Sequence, residues 1–300
     1  MSGKEKHLHK VRLSKEEKIY QFCITALILL VILVCILPLF YVIGMSLTSE
    51  GEMMERNYFV IIPRKPILSA YRHILGQADF YNGMLVTVCR TVLGVGAALI
   101  LTIPAGYILA KEDLPLRRAC MVFFIITMIL SGGLIPAYVL MTKLKLVNTF
   151  WVYIVPAFAN TYGILVVKLF VEGMPKELLE SAELDGASEI QKMIWLAVPL
   201  LKPTICALGL FAAVGHWNDW FTAMVYIKDP KLYPVQYLIR NMLTQSGTGD
   251  MMNNVSSYMK MTTQSVKMAG VIIAVLPVLC IYPFLQKYFI HGMYTGSVKG

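Results

Sequence analysis

Apolar residues in this chain come in long uninterrupted runs, without the strict alternation of half-buried strands. The first run, residues 22–45, contains no charge and is long enough to cross a hydrocarbon core of roughly 30 Å as a helix. Further runs follow at 84–109, 119–140, 150–167, 204–227 and 268–286. The fourth is short, and the fifth is interrupted by the polar patch His216-Trp217-Asn218-Asp219-Trp220. The pattern therefore predicts an all-α membrane protein with six transmembrane helices, since helices satisfy their own backbone in lipid. Short connections are expected at 110–118 and 141–149, and outer segments at 46–83 and 228–267, the latter with Gly247, Gly249 and the stretch Met251–Asn254. A long cytoplasmic segment is expected at 168–203.

Composition agrees. Of 300 residues, 57% are hydrophobic and 15% are charged, against roughly 25% charged in soluble domains. The mean hydropathy is +0.64. Soluble enzymes, disordered tails and fibrous repeats are excluded on this ground. The net charge of +9 is concentrated at the start, in Lys4, Lys6, Lys10, Arg12, Lys15 and Lys18. Basic residues before a first span hold that end in the cytoplasm, and an even number of spans returns the C-terminus there. The positive balance thus reads as a topology signal beside an anionic bilayer, with no nucleic-acid partner. The run at 22–45 is too long for a signal-peptide core and is expected to be retained.

Cys23, Cys35, Cys89, Cys120, Cys206 and Cys280 lie in apolar runs without paired spacing and read as small apolar fillers, with no metal site. No H-E-x-x-H or G-x-S-x-G pattern occurs, so an intramembrane enzyme lacks its chemistry. Only Arg90 and Asp219 place charge within the spans. Ionisable residues at depth are candidates for function, although Arg90, near the start of its span, could also extend to the outer headgroups. A stand-alone secondary transporter or channel would need more such groups. Trp217, Asn218, Asp219 and Trp220 combine aromatic faces with hydrogen-bonding groups and are candidates for a translocation path; an interfacial belt or a subunit contact would use the same residue types. The glycines in Gly132-Gly133-Leu134-Ile135-Pro136 would suit a kink or gate, or close helix packing.

The cytoplasmic segment carries the clearest local signals. Pro175 suits a helix start, and Glu177 and Glu180 suit its first turns. Leu178, Leu179 and Ala182 share one face, and Glu177, Glu180 and Glu183 another. Gly186 is a helix stop. Ser188 and Gln191 have the spacing of a capping box for a second helix. Two capped helices around a glycine bend form a stiff surface. Its acids (Glu172, Glu177, Glu180, Glu183, Asp185 and Glu189) distinguish it from a basic membrane-surface helix.

Glu180-Ser181-Ala182, then Gly186, then Leu196-Ala197-Val198-Pro199 resembles the EAA signature of permease subunits in bacterial ABC importers, in which E-A-A is followed by G and then I-x-L-P at this spacing. The resemblance extends from about Tyr81 to Gly300. It includes Ser131–Pro136, Leu146-Val147-Asn148-Thr149, Gly215–Asn218 and the tail Gly296–Gly300, which point to the carbohydrate-uptake branch, similar to the maltose-type second permease. It implies a type I importer permease with a basic tail, first helix and outer loop in 1–80, a five-helix core in 81–290 and a tail in 291–300. The EAA loop would be a coupling helix docking on cytoplasmic ATPases through Glu180, Ser181, Ala182, Asp185, Gly186, Leu178, Leu179 and Pro199. The chain has no G-x-x-x-x-G-K-[ST] phosphate loop and would bind no cofactor itself; ATP would be bound on the partner. Implied partners are two ATPase subunits, a second permease and an extracellular or periplasmic solute-binding protein, all at a bacterial cell membrane.

Overall fold

The computed structural model describes residues 14–130, 132–244 and 264–297, with side chains through residue 281. The basic residues before Ser14, the 247–254 stretch, Ser131 and the last three residues of the tail lie outside the described residues.

The described chain is helical. Helix α1 (Lys15–Ser46) starts earlier than its apolar run because Ser14 and Glu17 form a reciprocal capping box. Its apolar surface is almost wholly uncovered by the rest of the chain, and only Gly44, Met45 and Ser46 are buried. An all-round apolar helix so exposed is suited to lipid. Two short helices, α2 (Glu50–Glu55) and α3 (Ser69–Leu75), lie in the following loop. There Glu52 accepts hydrogen bonds from Arg56 and from the backbone N–H of Arg64.

Helix α4 (Ala78–Ala110) is the central element, packed against α7 (Thr161–Glu172) and α11 (Lys202–Asn218). Gly106 permits the α4–α7 approach, since a Cβ there would stand 2.6 Å from the Cβ of Val167 and 2.8 Å from the carbonyl oxygen of Ile164. At the end of α4 near Ala110, a core of Tyr107, Val167, Val171, Ala197, Leu201 and Leu208 joins these helices. At its other end Tyr153, Tyr233, Tyr237 and Leu238 form a second core.

The third apolar run is not one straight helix. It divides into α5 (Arg117–Ile129) and α6 (Leu134–Lys143), which meet at a sharp bend. Gly133 has φ +81° and no neighbour within 4 Å of an added Cβ, so it serves the bend and not close packing. The fourth run opens with 3₁₀ turns, Phe150–Tyr153 and Val155–Ala157, before α7. The segment expected to be cytoplasmic follows as α8 (Lys176–Leu184), α9 (Glu189–Gln191), a π-helical turn (Lys192–Ala197) and α10 (Val198–Leu200), the last three bent by 79° from α11.

The fifth run breaks at Asp219 and Trp220 before α12 (Phe221–Tyr226). An amphipathic helix, α13 (Val235–Thr244), buries Val235, Tyr237, Leu238, Ile239 and Met242 where only an outer loop was expected. The final helix, α14 (Gln264–Ser297), runs from inside that expected loop and on through most of the expected tail. Among the described residues, four helical segments are long and apolar enough to cross a membrane, or six if each of the two bent pairs is one span.

Candidate functional site

Two polar regions adjoin α4. The first is the loop between α7 and α11. Pro175 is the N-cap of α8, one residue ahead of the first helical position. The helix closes as the sequence predicts. Gly186, with φ +78°, donates to the carbonyl of Glu183 at 3.0 Å, and Ala187 donates to that of Ala182 at 2.9 Å. This pair of bonds forms a Schellman ending, which needs a residue tolerant of positive φ. Ser188 and Gln191 then cap α9 reciprocally. Ser181 Oγ donates to the Leu178 carbonyl, and Asp185 is the C-cap of α8.

No residue of α8 is buried. Leu178 is 39% exposed, Leu179 is half-buried, and Glu180 is exposed along a groove of about 600 Å³ shared with Lys111, Arg117 and Glu172. Pro199 is exposed on α10. Leu184 and Trp195, which the sequence pattern did not single out, are 89% and 79% exposed. Ala182, Gly186 and Trp195 line a smaller notch of about 430 Å³ in the crook of the bend.

Ion pairs link this loop to α4. Lys192, 6% exposed, donates to Glu183 at 3.0 Å and to Glu189 at 2.7 Å. Glu189 also pairs with Lys111, the C-cap residue of α4, and accepts from Tyr107 Oη at 3.2 Å. Partial burial opposes the charge on Glu189, but the hydrogen bonds from Lys111 and Lys192 outweigh it and hold its carboxyl at about 2. Its bonds to Glu189 and Glu183 raise Lys192 above its ordinary value. Beside them Glu172 joins Arg117 to Lys168.

The second region is a cavity of about 650 Å³ between α4, α11, α12 and the turns before α7. Arg90 is 2% exposed and turns into the protein. Its Nη2 bonds Asp219 Oδ2 at 2.5 Å, its Nη1 bonds the Asp219 carbonyl at 2.8 Å, and its guanidinium lies 4.2 Å from the centre of the Tyr153 ring. Asp219 Oδ1 in turn accepts from the Thr222 backbone at 3.1 Å. A helix break among apolar spans frees backbone groups that lipid cannot satisfy. Arg90 and the Asp219 carboxylate satisfy them here.

Of the four expected path residues, only Asp219 lines the cavity. Trp217 turns to α14, donating from Nε1 to the Ala274 carbonyl at 3.0 Å. Asn218 accepts from Gln236 at 3.4 Å, and Trp220 stacks under the Arg240 guanidinium at 3.8 Å. The cavity wall instead includes Tyr153, Asn160, His216, Phe221, Thr222 and Tyr226. Helix α11 stops at Asn218, so Asp219 and residues of α12 reach the cavity from beyond the helix end, while Trp217 and Asn218 lie on other faces of α11.

A family model described as "Binding-protein-dependent transport system inner membrane component" matches residues 13–293. Protein LplC of Bacillus subtilis (strain 168) is 37% identical over 297 residues, covering 98% of this chain and 99% of LplC. The polygalacturonan/rhamnogalacturonan transport system permease protein YtcP of the same organism is 34% identical over 286 residues, covering 95% of this chain and all of YtcP. A chain from the crystal structure of a bacterial ABC transporter involved in the import of the acidic polysaccharide alginate superposes with a TM-score of 0.83 at 25% identity, over 93% of this chain and 100% of that one. With α4 central, two bent spans and this loop, the chain belongs to the family of binding-protein-dependent transport system inner membrane components: it is an ABC importer permease, a membrane transport subunit rather than an enzyme.

Proposed function

We propose that this chain is one of two permease subunits of an ATP-driven carbohydrate importer, and that its cytoplasmic loop receives the motion of separate ATPases. The names of the relative YtcP and of the alginate importer support a poly- or oligosaccharide as the solute. A separate binding protein would deliver it at the outer face. Both termini would lie in the cytoplasm, and the cavity beside Arg90 and Asp219 would form part of the path. ATP would be bound and hydrolysed on the partner chains.

The observation that carries the coupling role is the exposure of α8. This helix has no buried residue, and among the described residues nothing covers Leu178 or Leu184 of α8 or the neighbouring Trp195. Such a surface suits a groove on another protein. Gly186→Asp tests it. A Cβ at Gly186 meets nothing within 4 Å in this chain, so the local cost is confined to the positive φ. Gly186→Asp is expected to leave the permease in the membrane while abolishing uptake and retention of the ATPases on purification. Normal uptake by this variant, or transport by the purified chain alone in ATP-free liposomes, would overturn the reading.

A further inference from the structure

We infer that Glu189 is a positioning residue that carries displacement of α8 into α4, acting through an ionic clamp made with Lys111, Lys192 and Glu183. The inference rests on the reading of α8 as the ATPase-docking helix.

The geometry forms a continuous path. Glu183 stands in the last turn of α8 and bonds Lys192 at 3.0 Å. Lys192 opens the π-helical turn and bonds Glu189 at 2.7 Å. Glu189, at the first position of α9, is gripped by Lys111 and by Tyr107 at the end of α4. Both carboxylate oxygens of Glu189 are used. Lys192 is desolvated, which strengthens its two pairs relative to surface ones. Each charge also suits its helix end: Glu189 sits at an N-terminus and Lys111 at a C-terminus.

An apolar route to the same helices exists through Ala197 and Leu201, which are 0% and 1% exposed in the core with Tyr107 and Val167. It anchors the π turn and α10, but no residue of α8 enters it. Among the described elements α8 packs chiefly on the π turn. Apart from an exposed pair between Lys176 and Glu112, the side-chain attachment of α8 to α4 among the described residues passes through Glu183, Lys192 and Glu189. A π turn at this joint is a common mark of functional distortion in a helix.

The test uses the complete transporter, with its ATPases and second permease, in proteoliposomes. A reporter cysteine replaces Ala212 on the cavity wall in a chain otherwise free of cysteine. Its labelling by a charged maleimide is compared with and without ATP plus vanadate. Three quantities are read: ATPase retention, vanadate trapping, and the nucleotide-dependent change in labelling. Glu189→Gln is expected to preserve the first two and to shrink the third by about fivefold or more, the range of typical coupling energies. Lys111→Met should do the same, Lys111→Arg should not, and the double variant Lys111→Met/Glu189→Gln should be no worse than either single one. An unchanged labelling response in both Glu189→Gln and Lys111→Met overturns the clamp, leaving the apolar anchor sufficient. Loss of the ATPases from Glu189→Gln also overturns it, because Glu189 would then be a docking residue. A parent protein with no nucleotide response, or Gly186→Asp that retains its ATPases, sinks instead the coupling role on which the clamp depends.

Discussion

Helix α4 holds an ionic assembly near each end of its apolar stretch, about 30 Å apart along its axis. Near the cavity Arg90 meets one carboxylate, one carbonyl and one aromatic face. At the other end Lys111 joins Lys192, Glu183 and Glu189. The first is nearly dry on the Arg90 side and bonds a broken backbone, so it fixes one geometry. The second is half open to solvent and joins side chains of four elements. Both use opposite charges, yet they do different work: the inner pair holds α12 to α4 at a helix break, and the outer group makes a joint between elements that can move together.

Removing one member of the inner pair gives the largest expected effect. Asp219→Ala leaves the Arg90 charge buried without its carboxylate and strips the Thr222 N–H of its acceptor. Loss of one partner of a buried pair costs about 3–5 kcal/mol. The expected outcome is a lower unfolding midpoint in detergent and poor recovery of folded protein. Replacing both members with apolar residues, Arg90→Met with Asp219→Leu, should recover much of that stability, since the isolated charge is gone. A single variant as stable as the parent would show that the pair does not hold the break.

The sequence made one of these assemblies far more legible than the other. Gly186, Ser188 and Gln191 are local signals, read over six residues of chain, and α8 and α9 fold as those residues predict. Their partners were not legible. Lys111 and Glu189 are separated by much of the chain, and nothing in the spacing of either marks the other. Arg90 and Asp219 were each conspicuous as charges among apolar residues, but their pairing depends on α11 ending at Asn218. Trp217 and Asn218 end α11 turned toward α14 and α13, and Trp220 follows the break beside Arg240; nothing in the run of four residues marks these separate directions. The amphipathic helix α13 was hidden in a segment read as loop because it is shorter than a span and partly polar.

Acid separates the two assemblies by a smaller effect. The Glu189 carboxyl is held at about 2 by Lys111 and Lys192, so its folded value lies below its ordinary one. A depressed carboxylate stabilises the folded joint above its ordinary value and loses that contribution as pH falls toward its folded value. Glu183 and Tyr107 complete the ring around it. The labelling response of the Ala212→Cys reporter should therefore stay constant as cytoplasmic pH falls from about 8 to about 5. A clear decline across that interval in the parent, absent in Glu189→Gln, would show that the carboxylate is not held charged by its lysines.

The smallest expected effect comes from a contact that resembles the clamp on paper. Lys176, at the start of α8, bonds Glu112 just beyond α4 at 2.8 Å, so it too connects the loop to α4. Its side chain is 70% exposed and that of Glu112 is 74% exposed. Exposed pairs spend side-chain entropy to hold a geometry that water screens, and many contribute nothing measurable. Lys176→Ala should therefore change neither the unfolding midpoint nor the nucleotide-dependent labelling, although it removes a charge pair between the same two elements. A loss of labelling response equal to that of Lys111→Met would mean that any tether between α8 and α4 suffices. The distinction drawn from the burial of Lys192 would then fail. An unchanged response in Lys176→Ala beside a weakened one in Lys111→Met would place the transmission at the desolvated lysine and its two carboxylates, and not in the net charge shared by the two elements.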